Sequence, residues 1–190
     1  MSRRIMINWT PPVEYVGAVR SALEPGLPKM GPASHHTIVE RMRDHFGLYM
    51  FFEAQGVEPD RDDAIRAWRR ENALKPFARR NLVYIGIVKS DRRDFIMRMK
   101  DHESDWLHQY RAKQLYVKFG VVEYTCKEAE LPQLIEDAES MLIFEMQPHE
   151  NTAKKYSYTM DISKGHLVVA SSGSHHPLPK RLSSKRHLTD

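Results

Sequence analysis

Several short segments of the chain concentrate apolar, aromatic and β-branched residues in the way that β-strands do. The clearest span residues 47–54, 81–88 and 115–124, and a shorter one covers residues 5–9. Each is bounded by polar or turn-forming residues, which is typical of strands. We therefore predict strands at these four positions.

Other segments repeat their apolar residues at the helical spacing of about 3.6. Residues 91–111 predict one helix, and a second should start at Glu130 or Leu131 and stop before Pro148. Thr37 followed by Glu40 resembles a capping box, so we predict a further helix over residues 38–46. The apolar stripe of the first helix contains Phe95, Ile96, Met99 and Trp106.

The order strand, strand, helix, strand, helix predicts an α+β fold, with a small three-stranded, mainly antiparallel sheet flanked by helices. Residues 155–171 add a predicted C-terminal β-hairpin that turns at residues 163–165. The predicted units are an N-terminal extension (1–46), a core (47–153) with a basic insertion (56–80), the hairpin (154–171) and a basic flexible tail (172–190).

Composition places the chain among globular proteins, with 190 residues, 41% of them hydrophobic and 28% charged. No apolar run approaches the roughly 20 residues of a membrane span, and the first residues lack the apolar core of a secretory signal. Cys126 is the only cysteine, which excludes an intramolecular disulfide and a cysteine-based zinc site. We expect a cytoplasmic protein without membrane contact.

The formal net charge of +4 suits a polyanionic partner, and the distribution of basic residues adds to this. One basic cluster lies within residues 66–80 and another within residues 180–186. The alternative for each cluster is a solvated face without a partner.

Two of the predicted strands carry short glycine–tyrosine motifs. Gly47, Leu48 and Tyr49 form GLY near the start of the first core strand, and residues 84–86 form YIG in the second. Lys89 follows three residues after the YIG glycine.

The helices that follow carry three further polar groups at fixed spacings. Arg98 and His102 are four residues apart, one turn along the same helix face. Glu139 lies beside the apolar stripe of the second helix, and Pro148 and Asn151 form a Pro-x-x-Asn ending after it. In this order the motifs resemble the GIY-YIG nuclease superfamily, which includes homing endonucleases, repair nucleases and several restriction enzymes. The resemblance covers residues 47–153.

The sequence departs from the family pattern in three ways. Leu48 replaces the isoleucine of GIY, and the connection between the two motifs is longer than usual. Arg98 also lies further from YIG than is commonest, so Arg92 or Arg93 is the alternative counterpart. We prefer Arg98 because His102 follows it on the same face.

The resemblance implies a role for each motif residue. Tyr49 or Tyr84 would activate water, although a tyrosine with a pKa near 10 needs neighbouring cations to do so. Glu139 would bind Mg²⁺ or Mn²⁺, for which carboxylate oxygens are suitable ligands. Arg98 would neutralise the phosphate, and His102 would either help it or hydrogen-bond a tyrosine. Asn151 would support the site wall, and the substrate-binding residues would be Lys89, Arg92 and Arg93.

The expected function is therefore a metal-dependent endonuclease that hydrolyses DNA phosphodiester bonds. One catalytic centre cuts one strand, so double-strand cleavage would need a homodimer or a second binding event. The alternatives are a nucleic-acid-binding protein that has the fold without catalysis, and an interaction module that binds an acidic protein. No nucleotide cofactor is expected, because no GxxxxGK[ST] or GxGxxG motif occurs. The adjacent histidine pairs at 35–36 and 175–176 lack the spacing of a zinc site.

Overall fold

The protein folds around one β-sheet with helices on both of its faces. The computed structural model describes residues 2–24, 26, 31–53, 82–89, 93–110, 115–124, 130–155 and 165–184. The strands are β1 (Ser2–Trp9), β2 (Val13–Glu14), β3 (Gly47–Glu53), β4 (Leu82–Val88), β5 (Leu115–Tyr124), β6 (His166–Gly173) and β7 (Arg181–Ser183). The α-helices are α1 (Arg20–Leu23), α2 (Ala33–Arg41), α3 (Phe95–Asp105) and α4 (Leu131–Met146), with a π-helical turn at Tyr15–Val19 and 3-10 turns at Met42–Asp44 and Leu107–Tyr110.

The sheet has seven strands among the described residues, so the prediction of a small three-stranded sheet is wrong. Its order is β4-β3-β5-β1-β6-β7, with β2 on β5 beside β1. The β1–β6 pair is parallel and the other pairs are antiparallel, which makes the sheet mixed. Strands β1, β6 and β7 lie outside the predicted core (47–153). They nevertheless belong to the same sheet, because β1 pairs with β5 and β6 pairs with β1.

Alternation along the strands divides the buried side chains between the two faces of the sheet. In β3, Leu48 and Met50 pack into the cluster that contains the apolar stripe of α4. Tyr49 and Phe51 point the other way and pack with residues of α3 and the π-helical turn. Successive strand side chains point to opposite faces, so GLY places its tyrosine on the α3 face.

Strands β3 and β4 pair antiparallel across the predicted basic insertion, and residues 54–81 lie outside the described residues. The register shifts where Phe51 faces Tyr84 and Phe52 faces Leu82. Val83 is the extra residue of this β-bulge. Because of it, Val83 and Tyr84 both join the α3-side cluster while Leu82 joins the α4-side cluster.

The second arm of the predicted C-terminal hairpin is strand β6, which pairs with β1 on one edge and with β7 on the other. Residues 156–164, which contain the rest of the predicted hairpin, lie outside the described residues. The described part of the predicted flexible tail, residues 172–184, folds onto the sheet and contains β7. Leu178 and Leu182 hold it there, because both are buried in the α4-side core.

Helix α4 starts at Leu131 and ends before Pro148, as predicted, whereas α2 and α3 begin at different residues from those expected. Helix α2 starts at Ala33, and Thr37 lies inside it with its hydroxyl donating to the Ala33 carbonyl. Asp94 caps α3 by accepting from the Met97 N–H, so α3 begins four residues later than the pattern suggested. Within the described part of the chain, no helix combines the length and apolar character that crossing a membrane requires.

Candidate active site

A hydrogen bond between Tyr49 and His102 lies at the centre of the candidate site. The Tyr49 oxygen is 2.5 Å from His102 Nε2, and both residues are buried. Tyr49 comes from β3 and His102 from α3, so this contact joins the sheet to the helix that covers it. The four-residue spacing of Arg98 and His102 places both on the helix face that meets the sheet.

Trp106 determines which nitrogen of His102 carries the proton. Its indole N–H donates to His102 Nδ1 at 3.1 Å. An indole nitrogen can only donate, so Nδ1 must accept and the proton of a neutral ring must lie on Nε2. His102 therefore donates to the Tyr49 oxygen. The ring is neutral at physiological pH, because burial and the charge of Arg98 lower its pKa to about 4.

Tyr84 continues this chain of hydrogen bonds toward the surface. The two tyrosine rings stack with centroids 6.1 Å apart, and a hydrogen bond with Tyr49 acts to lower the pKa of the Tyr84 hydroxyl. Since Tyr49 already accepts from His102, its own hydroxyl donates to the Tyr84 oxygen. Trp106 thus donates to His102, His102 donates to Tyr49, and Tyr49 donates to Tyr84, which is the last acceptor of this chain.

Gly86 of the YIG motif lets the two rings approach each other. It lies opposite Tyr49 in the β3–β4 ladder. A Cβ atom at this position would be 2.7 Å from Tyr84 Cε1 and still closer to the Tyr49 hydroxyl. Any side chain here would push the Tyr49 ring out of position.

Arg98 acts on both tyrosines and borders the solvent. Its charge and hydrogen bonds lower the pKa of each hydroxyl, although burial has the larger and opposite effect. The guanidinium also contacts Asp101 at 3.4 Å, in a pair whose side chains are 34% and 44% exposed. Exposed pairs of this kind contribute about 1 kcal/mol or less, so a phosphate can displace Asp101 at little cost.

The cluster opens into a cavity of about 450 Å³. Tyr84, Arg98 and His102 reach its wall, whereas Tyr49 does not. Tyr84 is half-buried and Tyr49 fully buried, so of the two tyrosines only Tyr84 borders the cavity. The rest of the wall comes from Asp101, Asp105, Trp106, Glu150, Asn151, Thr152 and Ala153.

Asn151 fixes the position of the YIG strand, as the predicted support of the site wall requires. Its side-chain oxygen accepts from the Ile85 N–H at 2.9 Å, and its amide donates to the Ile85 carbonyl at 2.8 Å. The N–H of Glu150 adds a bond to the Val83 carbonyl at 2.9 Å. The Pro-x-x-Asn segment thereby satisfies backbone groups along the outer edge of β4, which would otherwise be an exposed strand edge.

Glu139 approaches the same edge from α4, on the opposite side of the sheet. Its charge raises the pKa of both Tyr84 and Tyr49, which shows that it lies close to them. Glu139 is 8% exposed, and Lys154 Nζ contacts its Oε2 at 2.6 Å. Burial raises the pKa of Glu139, while Lys154 opposes that shift.

The predicted substrate-binding residues are placed unequally. Lys89 forms an ion pair with Glu136, and its charge also acts on Glu139, so it lies beside the site. Arg93 pairs with Asp101 at 2.9 Å and is well exposed. Arg92 lies outside the described residues. Arg98, rather than Arg93, is the arginine that acts on the tyrosines.

Two residues of the site were not anticipated as polar contributors. Trp106 was assigned only to the apolar stripe of α3, although its position four residues after His102 places both side chains on one face. No sequence pattern predicts the contact of Lys154 with Glu139, because this contact depends on the path of the chain after Asn151.

No family model, curated protein or solved structure matches this chain. Membership of the GIY-YIG superfamily therefore stays a prediction that rests on the order of the motifs. Among the described residues, no group of three or more histidine, cysteine, aspartate or glutamate side chains is arranged to hold a metal ion.

We predict that His102 makes the stability of the protein pH-dependent. Its pKa falls from 6.5 in the unfolded chain to about 4 in the folded protein. Between these values the unfolded chain binds a proton that the folded protein does not, so the free energy of unfolding decreases as the pH falls. The slope from this group is about 1.4 kcal/mol per pH unit.

Urea unfolding of wild type and of His102→Gln at pH 7 and pH 5 measures this contribution. The free energy of unfolding of wild type minus that of His102→Gln should fall by about 2 kcal/mol from pH 7 to pH 5. His108→Gln, at an exposed position in the following turn, is the matched control and should keep the wild-type slope. Parallel pH profiles for wild type and His102→Gln would contradict the prediction.

Proposed function

We propose that the protein is a metal-dependent endonuclease that hydrolyses DNA phosphodiester bonds. The observation that supports this most is the convergence of Tyr84, Arg98 and His102 at the wall of one cavity, with Tyr49 buried behind them and the charge of Glu139 nearby. A phosphodiesterase needs a base, a cation for the developing phosphorane and support for the leaving oxygen. The cluster contains a candidate for each.

The chemistry of Glu139 fits a magnesium ion whose site is completed by substrate. Mg²⁺ often binds proteins through one or two carboxylates and takes its other ligands from substrate phosphates and water. Glu139 supplies one such carboxylate. When bound there, Mg²⁺ would supply positive charge for the leaving 3′ oxygen. Mn²⁺ has the same preference for oxygen ligands.

Tyr84 is the proposed base, because it borders the cavity and accepts the last hydrogen bond of the chain from Trp106. Its phenolate would be stabilised by donation from Tyr49 and Arg98. Burial and the charge of Glu139 raise its pKa, so the phenolate is scarce in the DNA-free protein. Tyr49 then acts as a positioning residue.

The proposed reaction is a single displacement by water. The Tyr84 phenolate takes a proton from a water molecule while the oxygen of that water attacks the phosphorus. Arg98 pairs with the phosphate in place of Asp101. The bond from phosphorus to the 3′ oxygen breaks, and that oxygen gains a proton from solvent. The products carry 5′-phosphate and 3′-hydroxyl ends, and two strands would be cut by two copies of the chain or in two events.

A second candidate is a DNA-binding protein that has the same fold without catalysis. The ion pair between Glu139 and Lys154 favours it, because the carboxylate is already compensated in this structure. Salt-sensitive DNA binding without cleavage at any metal concentration would support this candidate.

A plasmid-nicking assay with Mg²⁺, Mn²⁺ or EDTA tests the proposed function. Wild type should cleave only with metal, and Glu139→Gln should lose at least about 100-fold in rate, since a metal ligand supplies several kcal/mol of charge stabilisation. Glu130→Gln, at the exposed start of the same helix, is the matched control and should retain the wild-type rate. Cleavage by Glu139→Gln at the wild-type rate would sink the proposal.

Two further variants identify the base. Tyr84→Phe removes the proposed base and should lower the single-turnover cleavage rate by about 100-fold or more. Tyr49→Phe leaves the His102 N–H without its partner, so it should destabilise the fold by about 1–3 kcal/mol and lower the rate less. Cleavage rates at saturating DNA and unfolding curves provide the two readouts. A greater rate loss in Tyr49→Phe would assign the base to Tyr49 instead.

A further inference from the structure

Lys154 lies against the one carboxylate that the proposed function assigns to a metal. Its Nζ is 2.6 Å from Glu139 Oε2, and the side chains of the lysine and the glutamate are 34% and 10% exposed, respectively. The ammonium group therefore approaches the carboxylate from the solvent side. A cation entering from the solvent would meet Lys154 at this oxygen.

The backbone at Lys154 supports a specific role for this contact. Lys154 has a φ of 64°, a left-handed conformation that residues other than glycine adopt uncommonly. The cost is on the order of 1 kcal/mol, and such conformations persist where the surrounding structure requires them. Lys155, the next residue, has the same charge but donates instead to the His149 carbonyl at 3.0 Å.

Among the described residues, Glu139 and the charged side chains that act on it balance without any added ion. Glu136 lies one turn earlier on α4 and pairs with Lys89, just as Glu139 pairs with Lys154. Two carboxylates and two ammonium groups therefore cancel at this corner of the fold. A divalent ion added at Glu139 would face an excess of positive charge unless an ammonium group left.

We propose that Lys154 is an internal cation that occupies Glu139 in the DNA-free protein and must leave before a divalent metal ion binds there. The proposal rests on the proposed function for the identity of the metal site. It makes metal binding weak in the absence of DNA. An incoming phosphate would offset the positive charge and so favour the exchange of Lys154 for the metal.

Direct binding of Mn²⁺ to the DNA-free protein, followed by electron paramagnetic resonance, tests the exchange. Lys154→Gln should bind Mn²⁺ at least about 10-fold more tightly than wild type, because a buried carboxylate without its partner attracts a cation strongly. Lys155→Gln removes the same charge from the neighbouring residue and should bind Mn²⁺ as wild type does. In the double variant Lys154→Gln with Glu139→Gln, the gain should disappear.

A second variant guards against a folding defect. Lys154→Gly also removes the ammonium group, but glycine suits the positive φ, so it should fold better than Lys154→Gln and show the same gain in affinity. Lys154→Arg preserves the cation and should bind Mn²⁺ as weakly as wild type. An affinity for Mn²⁺ in Lys154→Gln and Lys154→Gly no higher than in Lys155→Gln would overturn the proposal, as would a gain that survives Glu139→Gln.

The outcome separates this inference from the nuclease activity itself. If wild type cleaves DNA in a Glu139-dependent way but Lys154→Gln gains no affinity for Mn²⁺, the exchange is wrong and the nuclease stands. If Lys154→Gln gains affinity through Glu139 but no variant cleaves DNA, the exchange stands and the nuclease assignment is wrong.

Discussion

The buried hydrogen bond between His102 and Tyr49 is the interaction on which the candidate site depends. It is directional, because the Trp106 indole can only donate and so fixes the proton of His102 on Nε2. Burial keeps the imidazole neutral, which preserves this direction over the physiological pH range. A donor chain therefore runs from the covering helix along one face of the sheet to Tyr84, at the cavity wall. In the proposed mechanism, this direction makes Tyr84, and not Tyr49, the hydroxyl that becomes the phenolate.

The fold supports this interaction from both sides of the sheet. Gly86 leaves room for the stacked tyrosines, and Asn151 holds the YIG strand by both backbone groups of Ile85. Glu139 arrives from the helix on the opposite face, so the proposed site lies around the edge strand β4 rather than in the middle of the sheet. The Pro-x-x-Asn segment covers the backbone of this edge, while Tyr84 and Arg98 line the cavity beside it.

Local features of the fold could be predicted from the sequence, whereas the long-range pairing could not. Strands β3, β4 and β5 lie at the expected positions, because alternation and aromatic content are local signals. The parallel pairing of β1 with β6 joins segments from opposite ends of the chain, and no local pattern encodes it. Leu178 and Leu182 show the limit well, since their burial depends on a sheet edge that the sequence does not reveal.

The same distinction applies to the candidate site. Residues at helical or motif spacing, such as Arg98 and His102, could be selected because neighbouring turns bring them together. The burial difference between Tyr49 and Tyr84 could not, because both are strand tyrosines and the bulge at Val83 is not visible in the sequence. The contact of Lys154 with Glu139 was equally hidden, since it depends on an unusual backbone angle.

The central claim is that water, activated at Tyr84, attacks a DNA phosphodiester bond held by Arg98. Cleavage in water enriched in ¹⁸O, followed by mass spectrometry of the fragments, tests it most directly. The account predicts one ¹⁸O atom in the 5′-phosphate of each product and no covalent link between protein and DNA. A tyrosine–DNA adduct, ¹⁸O in a 3′-phosphate, or DNA left intact would contradict it.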